Sequence, residues 1–316
     1  MRDNSLRHKE YLQLLKQETE LIKRSELIDF SELNSVYIGG GTPSCLTTDE
    51  LSELVCWIKK NVNTKTCNHW SIELNPDDIT SNYAKNLIDL GFTRVSLGIQ
   101  SFQDDLLAKL GRTHYRYQSE QSIEIIKKVG FKDFNIDLIF GFPNHDLFKI
   151  RQDIKRTLSY SPSHISAYSL TIEPKTRMDR LPDWKKWIEN NDGLISNMYE
   201  MIVKELFAAG FDQYEVSNFA RKGFRSYQNL VYWHREDYLG LGTGAHSLIS
   251  GKRWGNVKRL TDYRNILKED LQPISFSEEL TPAMGRDESI MLGLRLSQGI
   301  NTEALKQQFV FEATEE

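Results

Sequence analysis

The chain has 316 residues, with 40 Lys and Arg against 44 Asp and Glu, a net charge of −4 and a mean hydropathy of −0.50. This length can bury a large core, as one barrel or as a barrel with an appendage. The charge gives no global pull toward nucleic acid or an anionic membrane, and no apolar run is long enough for a transmembrane segment.

In chain order, residues 1–30 carry Arg2, Asp3, Arg7, Lys9, Glu10, Glu18 and Glu20 instead of the apolar run of a leader, so a cytoplasmic protein is expected. An amphipathic segment at 5–23 precedes a short strand at 35–38. A helix follows at 48–61, with Leu51, Leu54, Val55 and Ile58 at helical spacing. Strands at 70–74, 94–99, 134–140, 164–170 and 213–216 then alternate with helices at 83–90, 104–110, 119–129, 147–159 and 195–209. Strands separated by crossovers of this length predict a parallel α/β sheet, open or closed. After Ala220 the pattern gives way to an aromatic and basic stretch, then to helical segments at 283–296 and 302–309.

Polar residues collect where the strands end. The first strand runs into Gly39, Gly40, Gly41 and Thr42, a turn that leaves peptide groups open to a small polar ligand. Glu73 lies at the end of the second strand and Gln100 at the end of the third, and Asp137 interrupts the apolar fourth. Taken singly, each reads as a residue bonding a nearby turn or a basic partner. Taken together at the C-terminal ends of successive strands, they read as a binding site. Cys45, Cys56 and Cys67 recur every eleven residues, which fits no zinc, haem-attachment or iron–sulfur pattern.

The motifs are YIGGGTPS at 37–44, IELNP at 72–76, VSLGIQSF at 95–102, LGRTH at 110–114 and NIDLIFGFP at 135–143. They continue with HIS at 164–166, LTIEP at 170–174, EVSNFA at 215–220, YLGLGTGAHS at 238–247 and MLGLRL at 291–296. In order and spacing they resemble the radical S-adenosylmethionine (SAM) proteins of the oxygen-independent coproporphyrinogen III oxidase group. The nearest branch of that group is the HemW haem chaperones. The resemblance implies a partial (β/α)6 barrel over 1–225 that lacks its first strand. It also implies a barrel-mouth segment with a small, mainly helical C-terminal domain over 226–316.

The resemblance places the family's SAM site on Gly40, Gly41, Thr42, Glu73, Gln100, Arg112 and Asp137. The turn and Glu73 suit the SAM ammonium, Arg112 its carboxylate, and Gln100 and Asp137 its ribose hydroxyls. The family also carries a [4Fe–4S] cluster on a C-x-x-x-C-x-x-C loop, expected upstream of residue 5, and none of the three cysteines here substitutes for it. Radical catalysis by these residues alone is therefore not expected, and SAM binding without the cluster's contacts should be weak. For the haem, the family reads His-Asn-x-x-Tyr-Trp where this chain reads Gln228-Asn-Leu-Val-Tyr232-Trp233, followed by His234. Glutamine is a poor iron ligand beside imidazole.

The function implied is haem chaperoning or trafficking, with haem and recipient haem proteins as partners and a homodimer left open. A coproporphyrinogen III oxidase and a cluster-free scaffold are the alternatives.

Overall fold

The computed structural model describes residues 4–25, 28, 33–174, 176 and 178–309. In chain order the elements are α1 (Asn4–Arg24), β1 (Ser35–Ile38), α2 (Thr48–Asn61), β2 (His69–Leu74), α3 (Ser81–Leu90), β3 (Arg94–Gln100), α4 (Asp104–Lys109) and α5 (Arg116–Val129). Next come β4 (Asp133–Phe140), α6 (Leu147–Ser159), β5 (His164–Ser169), α7 (Pro182–Asn190), α8 (Asp192–Ala208), β6 (Asp212–Gln213) and β7 (Asn218–Ala220). The remainder is α9 (Tyr227–Trp233), β8 (His246–Ile249), β9 (Lys252–Asn256), α10 (Leu260–Lys268), β10 (Ile274–Glu279), α11 (Pro282–Gly293) and α12 (Thr302–Gln308).

Two compact units divide the chain. One gathers Val36–Cys45 and Asn68–Arg225. It holds a seven-stranded sheet in the order β1-β2-β3-β4-β5-β7-β6, parallel from β2 to β5. Side chains alternate along each strand, so the faces separate. Ile72, Leu74, Val95, Leu97, Phe134, Ile136, Leu138, Ile165 and Ala167 form the apolar face and are buried. Each fully buried Ile, Leu, Val or Phe among them stabilises the fold by roughly 1.5–3 kcal/mol. The other face carries Ser71, Glu73, Ser96, Gly98, Asn135, Asp137, Ser166 and Tyr168. The helices bury matching stripes, such as Ile123 and Ile126 on α5 and Ile150 and Ile154 on α6. Their ends are set by local chemistry: the Thr80 side chain caps the start of α3, Asp146 caps α6, and left-handed Gly91 and Gly130 close α3 and α5.

The expected sixth strand at 213–216 needs correction. In its place β6 and β7 form an antiparallel hairpin, and β7 pairs antiparallel with β5, Ser166 opposite Asn218. The cause is Glu215, which is buried and accepts bonds from the Ser217 N–H at 2.9 Å and from the Asn218 amide. A side chain satisfying the backbone just ahead of it curls the chain into a turn at this point.

The other unit gathers Met1–Ser35, Leu46–Cys67 and Ser226–Glu316. Helices dominate it, but β8, β9 and β10 form an antiparallel three-stranded sheet that the hydrophobic pattern does not announce. Helix α1 packs on α2 and α10, around a core of Leu14, Leu21, Tyr263 and Leu267. Buried within it, Glu18 accepts from the Gly242 N–H at 2.8 Å, from the Tyr263 hydroxyl at 2.5 Å and from the Asn256 amide. Burial still raises its carboxyl above the ordinary value. Gly242 has φ +99°, and a Cβ there would lie 2.3 Å from the Tyr11 hydroxyl. Gly242 therefore serves close packing against α1.

Candidate functional site

The site grows from the end of β1. A Cβ at Gly39 would sit 2.4 Å from the Tyr37 ring and 2.9 Å from the Glu73 carboxyl carbon, so only glycine fits between them. Gly40, at φ +80°, donates its N–H to Glu73 Oε2 at 3.1 Å, and the Tyr37 hydroxyl donates to Oε1. Gly41 and Thr42 are exposed at the tip, and the Thr42 carbonyl closes the turn by accepting from the Cys45 N–H at 3.0 Å. Ser44 fastens this turn to the end of β2, accepting from the Asn75 N–H at 3.0 Å and donating to Asp78 at 2.6 Å. Burial lifts the Glu73 carboxyl above its ordinary value, against the Tyr37 bond, and the neighbouring Asp137 charge lifts it further.

Gln100 ends β3 with φ +68°, where the pairing with β4 slips register between Leu97 and Gln100. This left-handed residue is held from below by a group the sequence reading missed. Asp153 on α6 is fully buried and accepts from Ser101 Oγ at 2.6 Å, the Phe102 N–H at 3.0 Å and the Gln103 amide at 3.3 Å. Burial pushes its carboxyl up to about 6. The available signal was a carboxylate on the apolar stripe Ile150, Asp153, Ile154, Thr157.

Arg112 lies in the loop after α4, partly buried. Burial lowers its pKa, while the charges of Asp137 and Asp77 oppose that shift, so the guanidinium lies near enough to the carboxylate on β4 to feel its charge. Asp137 is held by neighbours on three strands. Ser96 Oγ donates to it at 3.0 Å, Asn135 Nδ2 at 2.7 Å, and Ser166 bonds to it as well. Desolvation nonetheless raises its carboxyl above the ordinary value. On β5, burial and then the Asp137 charge push the Tyr168 hydroxyl up to about 12.

The turn, Glu73, Arg112 and Asp137 thus converge at the C-terminal ends of the parallel strands, with Gln100 in the same row. One more group there escaped the sequence reading. His145, after β4, is buried, and neither ring nitrogen finds a hydrogen bond among the described residues. It lies 4.9 Å from the Phe142 ring, and burial pushes its pKa down to about 4.

The four residues set aside for haem belong to the second unit and are more dispersed. Helix α9 begins at the Ser226 cap; Gln228 and Tyr232 share one face, and Trp233 is turned about 100° from them. Tyr232 meets Tyr238 edge-on at 4.8 Å, whereas Trp233 lies under the Arg295 guanidinium at 4.6 Å. His234 is exposed, 3.3 Å from the Gln298 amide and 3.7 Å from Glu236.

Cys45 and Cys56 are exposed and Cys67 is buried. Among the described residues no three His, Cys, Asp or Glu side chains are grouped to hold a metal. The cysteines of this chain do not fit an iron–sulfur cluster. The donor set around Asp137, Arg112 and the glycine turn does fit the polar groups of SAM. No described helix is long and apolar enough to cross a membrane.

The fold is that of the radical SAM class, whose family profile, "Radical SAM superfamily", matches residues 6–156. The heme chaperone HemW of Bacillus subtilis is 34% identical over 301 residues, covering 95% of this chain and 79% of the relative. HemW of Haemophilus influenzae is 36% identical over 237 residues, covering 74% of this chain and 60% of the relative. Among solved structures, coproporphyrinogen III oxidase (HemN) of Escherichia coli superposes with a TM-score of 0.82 at 21% identity, covering 98% of this chain and 74% of that one. The chain belongs to the HemW family of radical SAM proteins.

Proposed function

We propose that this protein is a haem chaperone that also binds SAM, the SAM on the polar face of the seven-stranded sheet and the haem as cargo. The chaperone reading is carried by HemW relatives at 34% identity over 95% and 92% of the chain. The SAM reading is supported by the convergence of Gly40, Glu73, Arg112 and Asp137. Gly40, Gly41 and Thr42 with Glu73 take the ammonium, Arg112 takes the carboxylate, and Gln100 and Asp137 take the ribose hydroxyls. Bound SAM supplies a sulfonium and an adenosyl group. The cysteines here do not fit a cluster, and without iron contacts these residues hold SAM with an affinity weaker than about micromolar.

Haem handling is assigned to Gln228, Tyr232, Trp233 and His234, with stacking and propionate pairing as the main attraction. The test has two arms on the same purified protein. Equilibrium dialysis with labelled SAM should give saturable binding that Asp137→Ala removes. Haem loaded on the protein should pass to an apo haem protein, followed by the rise of the acceptor's Soret band. Loaded protein that never transfers haem sinks the chaperone reading, and SAM uptake unchanged by Asp137→Ala sinks the site.

A further inference from the structure

Behind Asp137 lies a chain of buried polar side chains that the SAM reading does not use. Asn135, His164 and Tyr214 are 3%, 1% and 1% exposed. Register places Ser96, Asn135 and His164 side by side on β3, β4 and β5, with Asp137 and Ser166 two residues further along. The contacts run in sequence. Tyr214 Oη is 2.8 Å from His164 Nε2, His164 Nδ1 is 2.7 Å from Asn135 Oδ1, and Asn135 Nδ2 is 2.7 Å from both Asp137 Oδ1 and Ser96 Oγ.

The protons in this chain are determined by its members. Ionised Asp137 only accepts, so Asn135 must turn its NH2 toward it and its carbonyl toward His164. That carbonyl also only accepts, so His164 carries its proton on Nδ1. Burial keeps the imidazole neutral, which leaves Nε2 as an acceptor for the Tyr214 hydroxyl. Reversing the Asn135 amide would aim its oxygen at the carboxylate, an arrangement stable only if Asp137 is protonated. The His164 tautomer and the Asp137 charge are thus two ends of one chain of bonds. Asn135 donates to Asp137 Oδ1 and Ser96 to Oδ2, and Ser166 bonds to the carboxylate as well, which leaves it about one acceptor site for a ligand. An acceptor fixed in this way can take a hydroxyl of the ribose diol.

We propose that His164 and Asn135, with Tyr214 as the terminal donor, are positioning residues that hold the Asp137 carboxylate ready to read the ribose diol of an adenosyl ligand. This rests on the assignment of Asp137 to the ribose. Tyr37, Glu73, Arg94, Arg112 and Tyr168 also act on the Asp137 charge, so the test reads ligand discrimination rather than pH alone.

The experiment compares binding of SAM with binding of its 2′-deoxy analogue. His164→Phe should weaken SAM about tenfold while barely changing the analogue, which corresponds to about 1.4 kcal/mol lost from the diol contact. His164→Asn keeps a donor near the Nδ1 position and should recover most of the discrimination. Tyr214→Phe should fall between them. Equal weakening of both ligands by His164→Phe, with no recovery in His164→Asn, would reduce the role to structural support and overturn the proposal. If wild-type protein ignores the 2′-hydroxyl and Asp137→Asn binds normally, the ribose assignment fails and takes this proposal with it. Nitrogen-15 spectra of the ligand-free protein give an independent check. The His164 ring should show a protonated Nδ1 and a bare Nε2, and the opposite tautomer overturns the proposal whatever the binding data show.

Discussion

The polar face of the sheet and the α9 segment both derive from short motifs, yet they gather side chains in different ways. Along β2 to β5 residues two apart share a face, and parallel register sets strands side by side, so residues from 73 to 166 meet around one carboxylate. Along α9 each residue turns by about 100°, so adjacent Tyr232 and Trp233 find separate partners, Tyr238 and Arg295. A sheet converts distant sequence positions into one built site. A single helical turn presents its motif in several directions, and a planar ligand can use only part of it.

The largest expected effect breaks the sheet side of this contrast. Asp137→Ala removes the ribose contact and leaves Asn135, Ser96 and Ser166 facing a void. A loss of about 2–4 kcal/mol corresponds to roughly 30- to 1000-fold in SAM affinity, read by equilibrium dialysis. Acid should reveal the same unit's unpaired imidazole. His145 has a pKa near 4 when folded and about 6.5 when unfolded, so between those values the unfolded chain binds more protons. The His145 contribution to stability is therefore unchanged above pH 6.5, falls as pH drops through this window, and is lower by on the order of 3 kcal/mol below pH 4, while Asp153, raised to about 6, acts in the opposite direction below that pH. Denaturant titrations at pH 7, 5.5 and 4.5 should show the stability of wild type relative to His145→Leu falling along this slope.

Next in size, Gly39→Ala places a methyl against Tyr37 and Glu73, at an overpacking cost of about 1–3 kcal/mol. A melting temperature matching wild type would show that the turn yields freely. The smallest effects belong to α9. Gln228→His should strengthen haem binding and sharpen the Soret band toward a ligated form. His234→Ala should leave the wild-type spectrum nearly unchanged, because that imidazole already lies beside Gln298 and Glu236. Loss of haem in His234→Ala would make the α9 turn as decisive as the sheet.

Strand periodicity and glycine placement made the sheet and its strand-end residues legible from sequence. Asp137 stood out because it interrupts an apolar run, and Gln100 because it ends one. The β6–β7 hairpin was hidden because Tyr214–Val216 has strand-like composition, and the bend comes from Glu215 reaching Ser217 and Asn218. Asp153 and Asn135 were hidden for a related reason. Their roles depend on partners such as Phe102, 51 positions from Asp153, and His164, 29 positions from Asn135 on the adjacent strand, and no local pattern records such distances. The meander β8–β10 escaped because β8 (HSLI) and β9 (KRWGN) are only four and five residues long and show no alternation of apolar and polar residues to read.

Glu18 in α1 also bears on how the chain reaches this state. Its three partners, Gly242, Asn256 and Tyr263, follow it by 224, 238 and 245 residues. At a synthesis rate of about 5–20 residues per second, α1 leaves the ribosome roughly 10–50 s before the last of them exists. During that interval its apolar stripe and its carboxylate have no native core to enter. The nearly continuous stretch from Asn68 to Arg225 meets no such delay, since its strands pair with near neighbours in sequence. The sheet unit is therefore placed to fold first, while α1 waits in the nascent chain as an exposed amphipathic helix, the natural target of a folding chaperone acting on the haem chaperone itself.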